Sequence, residues 1–420
     1  KLAVIGGGPS GSFFTYFAYE YAEQLGLDIY IDIFEAKNFN CYGPAGCNNC
    51  GGVVSESLIQ MLSADGIELP VDVIRKGIET YTFHLEQGNA VIYASVDEQK
   101  IASMFRGLGP AGSIDNGYKS FDDHLLGLCA TKGANIIRDR VSGVERKKDG
   151  IILKTENNFE KEYDLVIGAA GLSKNTFSLF NELCPSYVAP KTTRTFICEI
   201  QLDEKYINDY FGSSMHVFLL NLPNIKFGAL IPKTSYVTLV LLGSDINKVI
   251  ASNFLESEPV KKCFPANTDL NSIINCQCYP YINIKGAKSG YADRVVLIGD
   301  SSTSKLYKNG IGASYITAKA AANTAFFKGI SEEQFKKYFQ PICNKLERDN
   351  IIGKYIFSFA TIIQKSTLLR SVMYRTIVDE QHKERYKRKL SAILWDIFTG
   401  SAPYKDILKR LLHPAVIVTL

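Results

Sequence analysis

The residues with the clearest chemistry are three glycines near the start of the chain. Gly6, Gly8 and Gly11 stand in the spacing G-x-G-x-x-G directly after the apolar run from Leu2 to Ile5. The first glycine allows a tight turn, the second lets the backbone approach a pyrophosphate, and the third lets a helix lie close on a strand. Phe13, Phe14, Phe17, Ala18 and Tyr21 then recur at helical spacing, Gly26 supplies a stop, and Ile29 to Phe34 reads as a second strand ending in Glu35. Glu35 lies 24 residues beyond Gly11, where a carboxylate accepts hydrogen bonds from ribose hydroxyls. The helix start would face phosphates with unpaired N–H groups and the positive end of its dipole. The chemistry this pattern supports is dinucleotide binding.

Two later segments carry related chemistry. Asp164 to Ser173 reads as a strand followed by a small-residue turn that holds Ala170 and Gly171. Arg294 to Ile298 reads as a buried strand running into Gly299-Asp300. Ten residues after Asp300 come Gly310-Ile311-Gly312, which open an Ala-rich helical run from Ala313 to Phe327. An Asp after a strand can reach a ribityl hydroxyl, and a glycine-rich helix start can stabilise negative charge on a flavin ring.

In order and spacing these three marks resemble the FAD-dependent glutathione-reductase-like superfamily. More narrowly, the chain resembles the p-hydroxybenzoate-hydroxylase-type branch that holds aromatic hydroxylases and geranylgeranyl reductases. The resemblance implies FAD as cofactor, contacted by Gly6, Gly8, Pro9, Ser10, Gly11, Glu35 and Ala36 at the first turn. It implies further contacts from Ala170 and Gly171, and from Gly299, Asp300, Gly310, Ile311 and Gly312. It also places Val141 against the adenine through its backbone. Two positions depart from the pattern. The central turn usually carries Asp-Gly, where this chain has Ala170-Gly171. Hydroxylases usually read Gly-Asp-Ala-Ala-His with a following Pro, where this chain has Ser301, Ser302, Thr303 and Tyr307. Both changes leave FAD binding in place and weaken the match to hydroxylases.

Residues 41 to 58 read CYGPAGCNNCGGVVSESL. The stretch Cys50-Gly51-Gly52-Val53-Val54-Ser55 is similar to the Cys-Gly-x-Gly-Leu-Ser element that geranylgeranyl reductases carry near the isoalloxazine ring and substrate tunnel, with its second glycine displaced. The resemblance implies Cys50 as a catalytic group that supplies a proton or positions substrate, and Gly51 and Gly52 as cofactor contacts. The segment LWDIFTGSAPYKDIL, residues 394 to 408, is similar to the same family's C-terminal helical region. Spacing alone leaves other readings open. Cys47 and Cys50 form C-x-x-C, used by redox pairs and metal ligands. Cys41, Cys47 and Cys50 with Cys276 or Cys278 would give four thiolates for zinc or an iron–sulfur cluster. Cys41 and Cys47 are also small enough to be packing residues. Cys129, Cys184, Cys198, Cys263 and Cys343 are isolated and read as core, and no metal site is assigned.

The remaining elements must position these groups. Residues 77 to 105 alternate apolar and polar, as in YTFHL and AVIYASV, and read as strands. Arg106 opens a glycine turn where it could meet a phosphate or the ring edge, and a solvated loop Arg is the alternative. Phe121 to Lys132 reads as a helix and Asn135 to Arg138 as a strand. TFICEIQL, HVFLLNL, KFGALIP and YVTLVLLG, between residues 193 and 250, read as an antiparallel sheet whose inner face would line an apolar pocket. His216 could donate a proton there, although a lone His more often serves structure. Residues 331 to 420 are helical in pattern, with a basic run HKERYKRK at 382–389 that suits either an anionic membrane surface or solvent.

The expected fold class is α/β: a discontinuous Rossmann-like FAD-binding domain with an inserted antiparallel β-sheet substrate domain and a helical C-terminal region. The expected boundaries are 1–75, 111–178 and 286–330 for the FAD-binding domain, 76–110 and 179–285 for the substrate domain, and 331–420 for the helical region. The expected function is an FAD-dependent oxidoreductase that reduces C=C bonds of an isoprenoid, geranylgeranyl-type chain. The alternatives are a flavin-dependent monooxygenase of an aromatic or lipid substrate, and an electron relay using the Cys41/Cys47/Cys50 segment. The expected partners are an apolar isoprenoid or lipid substrate and a ferredoxin-like or NAD(P)H electron donor. Lys plus Arg is 47 and Asp plus Glu is 43 in 420 residues, and a net charge of +4 gives no footprint for nucleic acid. The opening KLAVIGGGPSG reads as a strand entering a turn and not as a signal peptide, and no apolar run reaches eighteen residues. The expected compartment is a reducing cytoplasm, with peripheral contact at the inner membrane surface.

Overall fold

The computed structural model describes residues 1–94, 100–113, 117–413 and 416. Ser95 and Val96, the end of the AVIYASV reading, lie outside the described residues, as do 414–415 and 417–420 of the helical C-terminal region. The chain forms two compact units, each assembled from three separated segments.

The first unit comprises Lys1–Cys41, Lys119–Thr192 and Ile282–Asn350. Its six-stranded sheet runs in the order Tyr291–Ala292, Val295–Leu297, Leu165–Gly168, Leu2–Ile5, Ile31–Phe34, Asn135–Ile137. Five of these strands are parallel, and the edge strand Tyr291–Ala292 is antiparallel to its neighbour. Leu2–Ile5, Ile31–Phe34 and Leu165–Gly168 are buried at every position, as expected of parallel strands covered on both faces. Val4 faces the helix Pro9–Leu25, against which Gly310–Phe327 packs through Phe13, Phe17 and Tyr315, with ring centroids 5.7 Å apart. Buried Ala318, Ala321 and Ala322 line the second helix. Ala3 and Ile5 face the other way, into a core shared with Ile151, Leu153 and Tyr163 of a three-stranded antiparallel sheet, and with Phe180 of the helix Lys174–Leu183.

One charge lies inside this layer. Asp32, fully buried on a central strand, accepts hydrogen bonds from Tyr163 Oη (2.6 Å), Asn135 Nδ2 (2.7 Å) and Lys161 Nζ (2.9 Å). Burial alone would raise its pKa, but these donors outweigh it and hold the carboxyl below its usual value.

The second unit comprises Tyr42–Tyr118, Thr193–Tyr281 and Ile351–Leu420. A seven-stranded sheet runs in the order Ile274–Cys278, Phe196–Gln201, Tyr236–Gly243, Ile225–Pro232, Ser214–Phe218, Thr80–Leu85, Gly88–Tyr93. All its pairings are antiparallel except that between Ser214–Phe218 and Thr80–Leu85. Successive side chains alternate between its two faces. Tyr81, Phe83 and Phe227 meet Trp395 and Phe398 of the helix Lys389–Thr399. On the opposite face Phe196, Phe218 and Leu230 share a core with Phe254, Val260 and Cys263. The helices Thr367–Gln381 and Tyr404–Leu411 complete the unit with the second half of Gln340–Lys365. That half exposes Ile351, Tyr355, Phe359 and Ile362 along one stripe. No helix among the described residues is long and apolar enough to cross a membrane.

The sequence-predicted strands and helices form, with small shifts. The strand expected from Ile29 begins at Ile31, and the helix expected from Ala313 already begins at Gly310. Replacing Asp32 by Ala strands three donors and should cost about 3 kcal/mol in urea denaturation. Because the folded pKa is lowered, the stabilisation is complete above the ordinary carboxylate range and is lost as pH falls through the folded value. The gap between the wild type and Asp32→Asn should therefore narrow between about pH 5 and about pH 2.

Candidate functional site

In the first unit the three glycine-bearing turns meet at the C-terminal edge of the parallel strands. The strand ladder continues into them. Gly6 N–H donates to Phe34 O (2.9 Å), Ala169 N–H to Ile5 O (2.8 Å) and Ile298 N–H to Gly168 O (2.9 Å). A Cβ on Gly6, whose φ is +107°, would lie 2.5 Å from Ala169 O. One on Gly11 would lie 1.9 Å from Gly6 O, and one on Gly299 would lie 1.9 Å from Ser10 Oγ. Side chains are therefore excluded at the crossing of helix, strand and late turn. Ser301 Oγ donates to Gly171 O (2.9 Å), which ties the Gly299–Ser301 turn to Ala170-Gly171.

The helix Pro9–Leu25 starts at Gly8 without a side-chain cap and with Pro at its first position, so backbone donors of its first turn face outward. Glu35 accepts from Gly7 N–H and Lys37 N–H, both at 2.9 Å, which fixes its carboxylate beside the glycine loop. This cradle fits a dinucleotide pyrophosphate with a ribose-binding acid next to it. At the second helix, Asn309 in left-handed conformation caps Gly312 N–H at 3.0 Å. A Cβ on Gly312 would lie 2.4 Å from Asn309 Oδ1, so this glycine makes room for the cap. Asp300 sits half-buried in its turn and its carbonyl accepts from Asn283 Nδ2 (2.9 Å). Val141 is partly buried at the start of the strand Val141–Arg146. Lys308, in the loop before Gly310, is a residue the sequence reading missed; desolvation pushes its amine down to about 7.

Cys50, Gly51, Gly52 and Arg106 belong to the second unit. A Cβ on Gly51 would lie 2.8 Å from Val240 Cγ2, and one on Gly52, whose φ is +70°, would lie 1.9 Å from Met104 O. The Cys50 loop is thus pressed onto the sheet. Beneath it lies a buried pair the sequence reading also missed. Lys233 Nζ is 3.5 Å from Glu199 Oε1 and 3.8 Å from the centre of the Phe105 ring, and Thr238 Oγ1 donates to Glu199 Oε2 (2.7 Å). Burial lowers the Lys233 pKa against the pull of Glu199 and of Cys50, and burial raises that of Glu199. The signal was available: Glu199 interrupts the otherwise apolar run FICEI on a strand buried on both faces.

The structure also brings Cys47, Cys50, Cys276 and Cys278 into one neighbourhood. Burial pushes Cys278 up to about 12, and the charges of Cys47, Cys276 and Cys50 add to this. None of the four takes part in a disulfide. Among the described residues, however, the His, Cys and acid side chains that converge within 4.8 Å are His84, His216 and Cys263. His216 is thus not alone, and Cys263, buried in the core as expected, lies beside both imidazoles. Their partners are 132 and 47 residues away from His216, beyond any motif spacing.

Two clefts open within the second unit. One lies against the sheet face opposite His84 and is lined by Phe227, Phe357, Ala360, Met373, Ile393 and Phe398 among others. The other is lined by Tyr42, Arg75, Tyr118 and Tyr236 among others. Arg75 lies over Tyr118 at 4.2 Å and donates to Leu108 O at 3.2 Å, while its Nε and the Tyr236 hydroxyl are buried without a partner. Arg106, the sequence candidate, is half-buried in the neighbouring turn.

No protein-family model matches the sequence, and no curated protein matches it. Solved structures do resemble it. A geranylgeranyl bacteriochlorophyll reductase-like protein from Thermoplasma acidophilum superposes with a TM-score of 0.71 at 17% identity, covering 98% of each chain. The p-nitrophenol 4-monooxygenase of Pseudomonas putida gives 0.64 at 11% identity, covering 94% of this chain and 97% of that one. The chain shares its fold with these two proteins. The halogenase PltM, solved with phloroglucinol and FAD, shares it too, with a TM-score of 0.65 at 11% identity over 100% of this chain and 96% of that one.

Within this fold, Lys308 gives a direct test of the first unit. Its folded pKa of about 7 lies below the ordinary value of 10.5. The unfolded chain therefore binds more protons between these values, and stability rises with pH across that window. Wild type should lose stability relative to Lys308→Gln as pH falls from about 10 to about 7, and hold a constant deficit below that, by urea midpoints.

Proposed function

We propose that this chain binds FAD and reduces carbon–carbon double bonds in an isoprenoid chain. The observation that carries the reading is the cleft beside Phe227 and Phe357, whose lining is almost wholly aliphatic and aromatic and whose Phe359 is half-exposed on the stripe of Tyr355 and Ile362. Such a cleft suits a long apolar chain entering from a lipid surface.

The glycine loop and the helix start at Pro9 would hold the pyrophosphate, Glu35 the ribose, and Gly299-Asp300 the ribityl chain. When bound and reduced, the flavin supplies hydride chemistry. The chain's own part is the proton. Cys50 and the buried Lys233–Glu199 pair form a group that can carry one, screened from water by Phe105 and the sheet. An unactivated double bond accepts hydride poorly, so the apolar cleft would contribute alignment and water exclusion.

A second reading is favoured by the other cleft. Arg75 Nε and the Tyr236 hydroxyl, both without partners, suit a polar aromatic substrate, as in a flavin-dependent monooxygenase. The two readings separate in one assay series. Protein supplied with FAD should bind about one per chain, and Gly11→Ala should lower that affinity at least about tenfold, by flavin fluorescence titration. Under anaerobic conditions with a low-potential donor, an isoprenoid alcohol or ether should gain hydrogen. Filling the cleft with Ala360→Trp should raise its KM about tenfold or more while flavin content stays unchanged. Oxygen-dependent hydroxylation of a phenol, with no change of the isoprenoid, would replace this reading by the second.

A further inference from the structure

We propose that His84, His216 and Cys263 form a binding site for a thiophilic d10 cation, Zn2+ or Cu+, in the core of the antiparallel unit. The three side chains come from separate elements: the strand Thr80–Leu85, the strand Ser214–Phe218 and the turn after the helix Glu258–Lys261. Parallel pairing sets His84 opposite Phe218 and His216 opposite Thr82, so the two imidazoles sit diagonally on one face of the sheet. Their exposures are 1% and 4%, and that of Cys263 is 0%.

The spacing is that of ligands around an ion. His84 Nε2 lies 3.0 Å from His216 Nδ1, and Cys263 Sγ lies 3.9 Å and 3.7 Å from the same two nitrogens. A point equidistant from three atoms so placed is about 2.1 Å from each, within the range of about 2.0–2.3 Å that zinc takes from imidazole nitrogen and thiolate sulfur. Two imidazoles and one sulfur also form a donor set that Cu+ accepts.

The surroundings fit the same reading. The Phe218 ring stacks on His84 at 4.3 Å and the Phe211 ring lies 4.7 Å from His216, so the three polar atoms converge inside an aromatic pocket where water does not repay their desolvation. His84 Nε2 and His216 Nδ1 share a buried hydrogen bond at 3.0 Å, which an ion bound between them would replace. Around them, Asn89 sits opposite His84 across the strand pair, and the Tyr210 hydroxyl, whose ring lies 5.6 Å from that of His216, donates to Lys262 O at 3.0 Å. Cys263 also lies 3.4 Å from Pro259 O, to which its thiol donates. Binding exchanges that thiol proton for the cation and releases one proton to solvent. The ion would link chain positions 84, 216 and 263, which no disulfide connects, and so stabilise the sheet. None of these residues belongs to the glycine cradle, so the proposal stands apart from the flavin reading.

The test is elemental analysis of the full-length protein, with flavin measured on the same sample, followed by chelation and refilling with Zn2+, Cu+ or Co2+. About one ion per chain is expected, with a thiolate-to-cobalt charge-transfer band of single-sulfur intensity and a higher Tm in the loaded form. Cys263→Ser and His216→Gln should each weaken metal binding at least about tenfold at unchanged circular dichroism and flavin content. Folded wild type that takes up none of the three ions overturns the proposal. So does an ion retained by both variants but lost in Cys47→Ser, which would assign it to the other thiols. If the two variants do not fold, the wild-type cobalt spectrum decides: several sulfur ligands overturn the site, and one supports it. Metal without flavin would leave this site standing and remove the reading above.

Discussion

The approach of two backbones at one point organises the parallel unit. Gly11 of the first helix passes so close to Gly6 of the first strand that no side chain fits between them, and Gly299 meets Ser10 just as closely. Helix start, strand end and late turn can then share one small volume, and backbone donors rather than side chains face whatever occupies it. The rest follows from that contact. The helix lies flat on Val4, the second helix packs on the first through Tyr315, and Glu35 reaches back to Gly7.

The antiparallel unit solves a different problem with one sheet. Its two faces are chemically unlike because side chains alternate. One face, around Phe83, Phe227 and Phe398, bounds a cleft suited to an apolar molecule. The other gathers His84, His216 and Cys263 among aromatic rings. Near the strand Phe196–Gln201 a Lys–Glu pair lies buried, and the Cys50 loop rests above it. A buried pair of this kind is costly to form and is poor evidence for stability.

What could be read from the sequence was whatever a local segment encodes. G-x-G-x-x-G, the run into Gly299-Asp300 and the alternation in YVTLVLLG each declare their structure within about twenty residues, and strands and turns form at those places. What could not be read depends on register. Glu199 meets Lys233 because Phe196–Gln201 and Ile225–Pro232 both align on the strand Tyr236–Gly243 between them, and His84 meets His216 because a parallel pair is offset by two residues. A single residue of slip would turn each side chain to the other face. Arg75 was passed over in favour of Arg106 for the same reason: burial and aromatic contact are decided by folding, whereas a glycine turn beside an Arg is visible in the text of the sequence.

The strand order of the parallel sheet also sets a timetable for synthesis. Leu2–Ile5 can pair with Ile31–Phe34 almost as soon as both emerge, but its other neighbour is Leu165–Gly168, and that strand's own outer partner is Val295–Leu297. At ribosomal rates of about 5–20 residues per second, the central strand waits on the order of 15–60 s before the sheet is complete. Through that interval an apolar strand edge stands open beside a growing chain. A nascent chain built this way depends on being shielded until its last third arrives, so its yield in a foreign host will follow chaperone supply more closely than the stability of the finished fold.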